Sequence, residues 1–130
     1  MQYIRNLAIV IRSPIFEEGL HFVSKDKDFQ QVAFWEYNKG RELAPHTHKI
    51  KPEEPLVSLT QEVIHVLEGK IVVTIYDELD YPVYYGALVK GDTLINLAGG
   101  HGYTVMEDGT KVLEVKNGPY YGRALDRRDI

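Results

Sequence analysis

A chain of 130 residues is enough for one hydrophobic core and too short for two, so a single domain over 1–130 is expected. Lys and Arg number 15 against 19 Asp and Glu, with no basic block to neutralise a run of phosphates, which argues against nucleic acid as a partner. Cysteine is absent, which excludes disulfides and thiolate ligands, agrees with a cytoplasmic location and leaves only His and carboxylates to hold a transition metal.

The first residues, MQYIRNLAIVIRSP, carry only a short apolar run ended by Arg12 and Pro14, unlike a signal peptide, and no segment is long enough to span a bilayer, so no membrane partner is expected. From there short segments rich in Val, Ile, Leu, Tyr and Phe alternate with turn residues, the pattern of an all-β sandwich or barrel. Strands are expected at 7–12, 20–23, 31–37, 62–67, 71–76, 83–89, 93–97, 103–106 and 112–116. Between them NKG, EGK, DELD, KGD, AGG, EDG and NGP supply the Gly, Asn and Asp that tight hairpins need. Helical periodicity is nowhere sustained, although EEPLVSLTQEV could hold one turn. Residues 117–130 read as a solvated C-terminal tail whose Arg123, Arg127 and Arg128 could instead grip a phosphate or a neighbouring subunit.

Two of the five histidines stand one residue apart in GRELAPHTHK. On a strand His46 and His48 share a face with Thr47 opposite, so two imidazoles converge on one point. Without Cys, a divalent first-row metal would be completed by a further His and a carboxylate. Glu62 begins the otherwise apolar face Glu62, Ile64, Val66; a bland alternative is an exposed carboxylate paired to Lys70 across a hairpin. His101 lies in LAGGHGYTV between glycines that permit close backbone approach, or simply in a turn. His65 falls on the face opposite Glu62, and His21 reads as an ordinary strand histidine. Trp35 and Tyr37 share a face, as do His101 and Tyr103, and these aromatic residues are candidates to line a substrate pocket or to fill the core. Glu114 and Lys116 read first as a solvated pair, second as polar groups inside a barrel. YPVYYGALV places three tyrosines in one strand segment, consistent with a subunit interface.

These residues resemble the cupin superfamily. GRELAPHTH followed by EVIHVLEG is similar to its first motif, G-x5-H-x-H-x3,4-E-x6-G, with Gly40, His46, His48, Glu62 and Gly69 in place. The stretch KIKPEEPLVSLTQ, residues 49–61, stands where the pattern has only a few residues and reads as an inserted loop. GDTLINLAGGHGYTVMED is a looser match to the second motif: Gly91 and Gly99 fit, Leu97 replaces a proline, His101 comes one residue early, and the asparagine is missing. The resemblance covers about 31–116. It implies a double-stranded β-helix, or jelly-roll, barrel, often dimeric, with a metal or substrate at its centre.

A narrower similarity, in HTHK and GGHGY, is to the cupin-type sugar-nucleotide 3,4-ketoisomerases, which implies a metal-free acid/base pair with His48 as base and His46 its partner. The favoured expectation is a divalent metal, Mn, Fe, Co, Ni or Zn, bound by His46, His48, Glu62 and His101 in a homodimeric cupin that binds or acts on a small, carbohydrate-related molecule. The alternatives are that isomerase or epimerase, and a non-catalytic cupin that binds a small ligand.

Overall fold

The structure, a computed structural model, describes residues 2–5, 7–10, 17–49 and 60–130. Residues 11 and 12 of the first expected strand, and 50–59 with most of the insert and its possible helical turn, lie outside the described residues. A hairpin of Gln2–Ile4 (β1) and Ala8–Val10 (β2) makes a two-stranded sheet. The strands that follow are Gly19–Phe22 (β3), Gln30–Tyr37 (β4), Glu42–His48 (β5), Glu62–Glu68 (β6), Lys70–Tyr76 (β7) and Pro82–Val89 (β8). Thr93–Asn96 (β9), Gly100–Val105 (β10), Thr110–Asn117 (β11), the helical turn Arg123–Asp126 (α1) and Arg127–Asp129 (β12) complete the described elements.

Two five-stranded antiparallel sheets result, ordered β12-β5-β10-β7-β8 and β3-β4-β11-β6-β9. From β4 onward the chain passes from one sheet to the other at every connection except the β7–β8 hairpin, which is the jelly-roll arrangement the sequence implied. Period-two alternation decides which side chains face inward. Along β4 Gln31, Ala33, Trp35 and Tyr37 are buried, and along β6 Glu62, Ile64 and Val66 are. Together with Ile71, Val73, Tyr103, Val105 and Val112 these strands supply the apolar core. Each fully buried aliphatic side chain there stabilises the fold by about 1.5–3 kcal/mol.

Three sequence expectations change. The tail is not free: Arg127, Arg128 and Asp129 pair with His48, Thr47 and His46 on β5, and Asp126 is 4% exposed. The backbone hydrogen bonds that β5 offers at its outer edge, together with a carboxylate that finds cationic partners inside, hold the segment down. Glu114 and Lys116 are not a solvated surface pair; both face the interior cavity, because β11 keeps the inward parity of Val112. His101 sits within β10 and not in a turn.

Glycine explains how that last strand fits. His101 pairs with His46 and Tyr103 with Leu43, so Ala44 and Pro45 together oppose Gly102 in a bulge. Pro45 has no N–H to donate, and a bulge is one of the few places a sheet accepts it. A Cβ on Gly102 would meet Pro45 at 3.1 Å, and one on Gly100 would meet the His46 carbonyl oxygen at 3.0 Å. The small residues flanking His101 thus let β10 approach β5 closely enough for their histidines to face each other.

Candidate metal centre

Three strands bring the site together at one end of the barrel. β5 ends with His46 and His48, β6 begins with Glu62, and β10 carries His101 near its start. One ligand atom from each of these four side chains can be chosen so that all lie within 4.8 Å of one another. The imidazole centroids are 5.0 Å apart for His46 and His48, 4.8 Å for His46 and His101, and 5.6 Å for His48 and His101.

The outer hydrogen bonds set the tautomers. His46 Nδ1 is 2.9 Å from the Ala44 carbonyl oxygen, which can only accept, so Nδ1 carries the proton and Nε2 keeps its lone pair. His48 Nδ1 donates in the same way to Asp126 Oδ2 at 3.1 Å. A carboxylate behind a histidine is the usual device for aiming the other ring nitrogen at a metal. Nε2 of His48 lies 3.5 Å from Glu62 Oε2 and Nε2 of His101 lies 3.4 Å from Glu62 Oε1. Both separations exceed the length of a charge-assisted hydrogen bond, and both nitrogens are buried without a hydrogen-bond partner among the described residues. Orphaned lone pairs gathered around a buried carboxylate are costly unless a cation sits among them, and a His₃Glu donor set suits a divalent first-row ion.

Burial and neighbouring charge tune these groups in opposite directions. Burial lowers His46 to about 4, helped by the nearby His101, His48 and Arg127, so it is neutral at pH 7. For His48 burial pulls the same way, but the hydrogen bond to Asp126 and the nearby Glu62 charge outweigh it and raise the pKa. Burial would raise Glu62, yet His101 and His48 hold it well below the usual carboxylate range. Burial and the Glu62 charge push Glu114 up to about 8, so it is protonated at neutral pH. The Tyr103 hydroxyl, raised well above its ordinary value by burial and by Glu62, donates to Glu62 Oε1 at 3.2 Å and accepts from Asn96 Nδ2 at 2.8 Å.

A cavity of about 490 Å³ opens onto this cluster, with His46 and Glu62 in its wall. Trp35, Tyr37 and Tyr103, the three pocket residues expected from sequence, line it too. His48 and His101 are buried behind its surface, with side chains 4% and 2% exposed. His65 points to the other face of β6 and meets Thr93 Oγ1 at 2.8 Å, while His21 is exposed on the β3 edge. Sequence reasoning missed Asn96, Asp126 and Arg127 as groups around the site. Asn96 pairs with Glu62 across β6 and β9, a register the inward parity of Glu62 could have suggested. Nothing local in ALDRRD marks Asp126, because its role depends on the return of the tail to β5.

No family model matches the chain, and no curated protein does. Solved structures do. A variant of oxalate decarboxylase from Bacillus subtilis superimposes with a TM-score of 0.67 at 18% identity, over 88% of this chain and 29% of its own. Another structure of that decarboxylase, described for its Mn(II) centres, gives 0.59 at 19% identity over 77% and 24%. KdgF from Halomonas sp. gives 0.58 at 16% identity over 75% of this chain and 77% of its own. The chain spans about a quarter of the length of the decarboxylase chains it matches. With its two antiparallel sheets, its chain path between them and these neighbours, the chain has the cupin fold.

Proposed function

We propose that this chain is a divalent-metal cupin that binds and acts on a small polar, carbohydrate-related molecule in the cavity beside His46, His48, Glu62 and His101. The observation that carries the reading is the pair of buried, partnerless Nε2 atoms of His48 and His101 directed at the same carboxylate. A divalent ion bound there would supply Lewis acidity, polarising or orienting an oxygen of the ligand. The protein's own groups do the remaining work. Asp126 fixes the His48 ring, Ala44 fixes that of His46, and Tyr103 with Asn96 holds Glu62. Trp35 and Tyr37 offer aromatic faces on which a sugar-like ligand can pack. His₃-carboxylate sites accept Mn, Fe, Co, Ni and Zn; the Mn(II) centres of the decarboxylase neighbour make manganese the first ion to test.

The test is metal content of untagged protein by inductively coupled plasma mass spectrometry, beside a His46→Ala/His48→Ala variant. Near-stoichiometric metal in the parent and none in the variant is expected. A parent protein that added Mn, Fe, Co, Ni or Zn fails to load would overturn the reading.

A second reading has its own observation, the buried His48–Asp126 pair. A metal-free sugar-nucleotide ketoisomerase or epimerase needs one imidazole to take a proton and one to return it. Geometry and burial favour exchanging the roles of the sequence expectation: His46, neutral and in the cavity wall, suits the base, and His48, its pKa raised by Asp126 and Glu62, the acid. Isomerisation by chelated protein would favour it. Ligand binding with no turnover of any sugar tested would leave a binding cupin. The edge strand β8, with Tyr84 and Tyr85 at 54% and 76% exposure and Tyr81 just before it at 65%, supports a homodimer through that edge. Sedimentation should then show a dimer that Tyr85→Lys weakens.

A further inference from the structure

The cations around the cavity are not equivalent. Lys116 Nζ lies 3.6 Å from Asp126 Oδ2, and Arg123 is 3.0 Å from Asp129 Oδ1. Arg41 sits 4.7 Å over the Tyr37 ring at the exposed start of β5. Arg127, half-buried at the start of β12, lines the cavity and has no carboxylate within ion-pair distance among the described residues. Its Nη1 lies 3.4 Å from His46 Nδ1. That contact is not a hydrogen bond, because the same Nδ1 carries the proton it donates to Ala44. The guanidinium therefore lines the cavity without an ion pair or a hydrogen-bond acceptor among the described residues, leaving its five donors for solvent or a ligand.

A second donor is in the same condition. Trp35 is fully buried in the cavity wall, and its Nε1 has no hydrogen-bond partner. Indole N–H groups are normally satisfied when buried, so this is a second donor at the cavity wall that the described residues leave unmet. Two donors lacking acceptors, one of them cationic, describe a ligand rich in acceptors and negatively charged. Arg41 also lines the cavity without an ion pair among the described residues, but it is exposed and stacked over Tyr37, so Arg127 is the half-buried guanidinium left for an anion, and its fork fits a carboxylate through two parallel hydrogen bonds.

We propose that Arg127 is the carboxylate-binding residue of this cavity, so that the ligand is a small organic acid whose carboxylate lies on Arg127 while its remaining polar groups face the four-residue cluster. This deepens the metal reading and rests on it for the second anchor only. Anchoring from β12 also gives the folded C-terminal segment a purpose at the site: it delivers a cation where β5 and β10 supply none.

The experiment is isothermal titration of the metal-loaded full chain with lactate, with its uncharged amide lactamide and with inorganic phosphate, repeated for Arg127→Gln and Arg127→Lys. Metal content is measured first in each protein. Lactate is expected to bind the parent at least about tenfold more tightly than lactamide, the scale of one charge-assisted hydrogen-bonded contact. Arg127→Gln should retain its metal and lose that preference, and Arg127→Lys should recover part of it. Retained metal also shows that the variant is folded. Equal lactate affinity in parent and Arg127→Gln, equal binding of acid and amide, no lactate binding, or Arg127-dependent phosphate binding tighter than that of lactate would each overturn the proposal. A parent that takes up no metal overturns the metal reading instead; the same lactate and lactamide comparison on metal-free parent and Arg127→Gln then decides the role of Arg127 by itself.

Discussion

The two ends of the barrel interior are built from the same strands and have opposite chemistry. β6 runs from Glu62 to Ile64 and Val66, β10 from His101 to Tyr103 and Val105, and β11 from Val112 to Glu114 and Lys116. At one end the inward residues are almost all apolar and fully enclosed: Val66, Ile71, Val73, Val105 and Val112 are 0% exposed, beside a buried Thr110 whose hydroxyl donates to the Glu107 carbonyl oxygen. At the other, three imidazoles, three carboxylates and a lysine face inward, some buried and some, such as His46, Glu114 and Lys116, half-buried. The difference teaches how such a barrel divides its labour. The apolar end gains free energy from burial and holds the strands in register. The polar end gives up part of that gain to hold charges that cannot all be satisfied by one another. A site of this kind is maintained by the rigidity of the opposite end.

Substitutions at each end should separate the two functions. The largest effect is expected from His46→Ala/His48→Ala, which removes two of the four proposed ligands and should abolish metal uptake while leaving the apolar end intact. Far-UV circular dichroism should remain that of the parent. The mirror experiment is Ile71→Ala, which leaves a void where a 0% exposed side chain packed. It should cost about 2–5 kcal/mol in chemical denaturation without changing metal stoichiometry. A loss of metal in Ile71→Ala protein that is still folded would mean that the two ends are not separable.

Asp126→Asn is a finer cut at the polar end. Asparagine can still accept from His48 Nδ1 but carries no charge to hold the ring or to pair with Lys116. Metal affinity should fall by about 10–100-fold, the usual cost of losing the group behind a metal-binding histidine. Competition with a fluorescent chelator measures it. Unchanged affinity would make Asp126 a fold-holding residue of the C-terminal segment only.

How much of this was legible in the sequence follows the same division. The apolar end is a local pattern: inward alternation along QVAFWEY and EVIHVL can be read residue by residue, and the limits of β4 and β6 err by one residue, whereas β10 starts three residues before its expected limit and β1, β5 and β12 were not among the expected strands. The His pair and Glu62 were legible because strand parity and motif spacing act over short distances. What stayed hidden depends on contacts between residues far apart in the chain. Asp126 lies 78 positions from His48, and ALDRRD carries no mark of the strand pairing that brings it there. Glu114 and Lys116 were misread for a related reason: parity shows that they share a face with Val112, but a charged pair near a strand end is usually solvated, and only the closed barrel reverses that expectation.

The smallest effect is one of slope. In the metal-free protein His48 has a folded pKa above its ordinary value of 6.5, so the stability it contributes is full below about 6.5 and is lost as pH rises through the folded pKa. Glu114 acts in the same direction, because a carboxyl raised from 4.5 to about 8 favours folding less and less as pH climbs across that interval. His46, lowered to about 4, works the other way, but its contribution is complete above 6.5 and adds no slope there. Metal-free protein should therefore lose stability between about pH 6.5 and about pH 8. Metal binding has the opposite dependence, since His48 must give up a proton to become a ligand and protons compete less as pH rises. The difference in melting temperature between metal-loaded and chelated protein should widen steadily across that window. A gap that stays constant would mean that the proton on His48 does not have to leave when metal binds, and His48 would then have to be removed from the ligand set, leaving His46, Glu62 and His101 as the metal-binding residues.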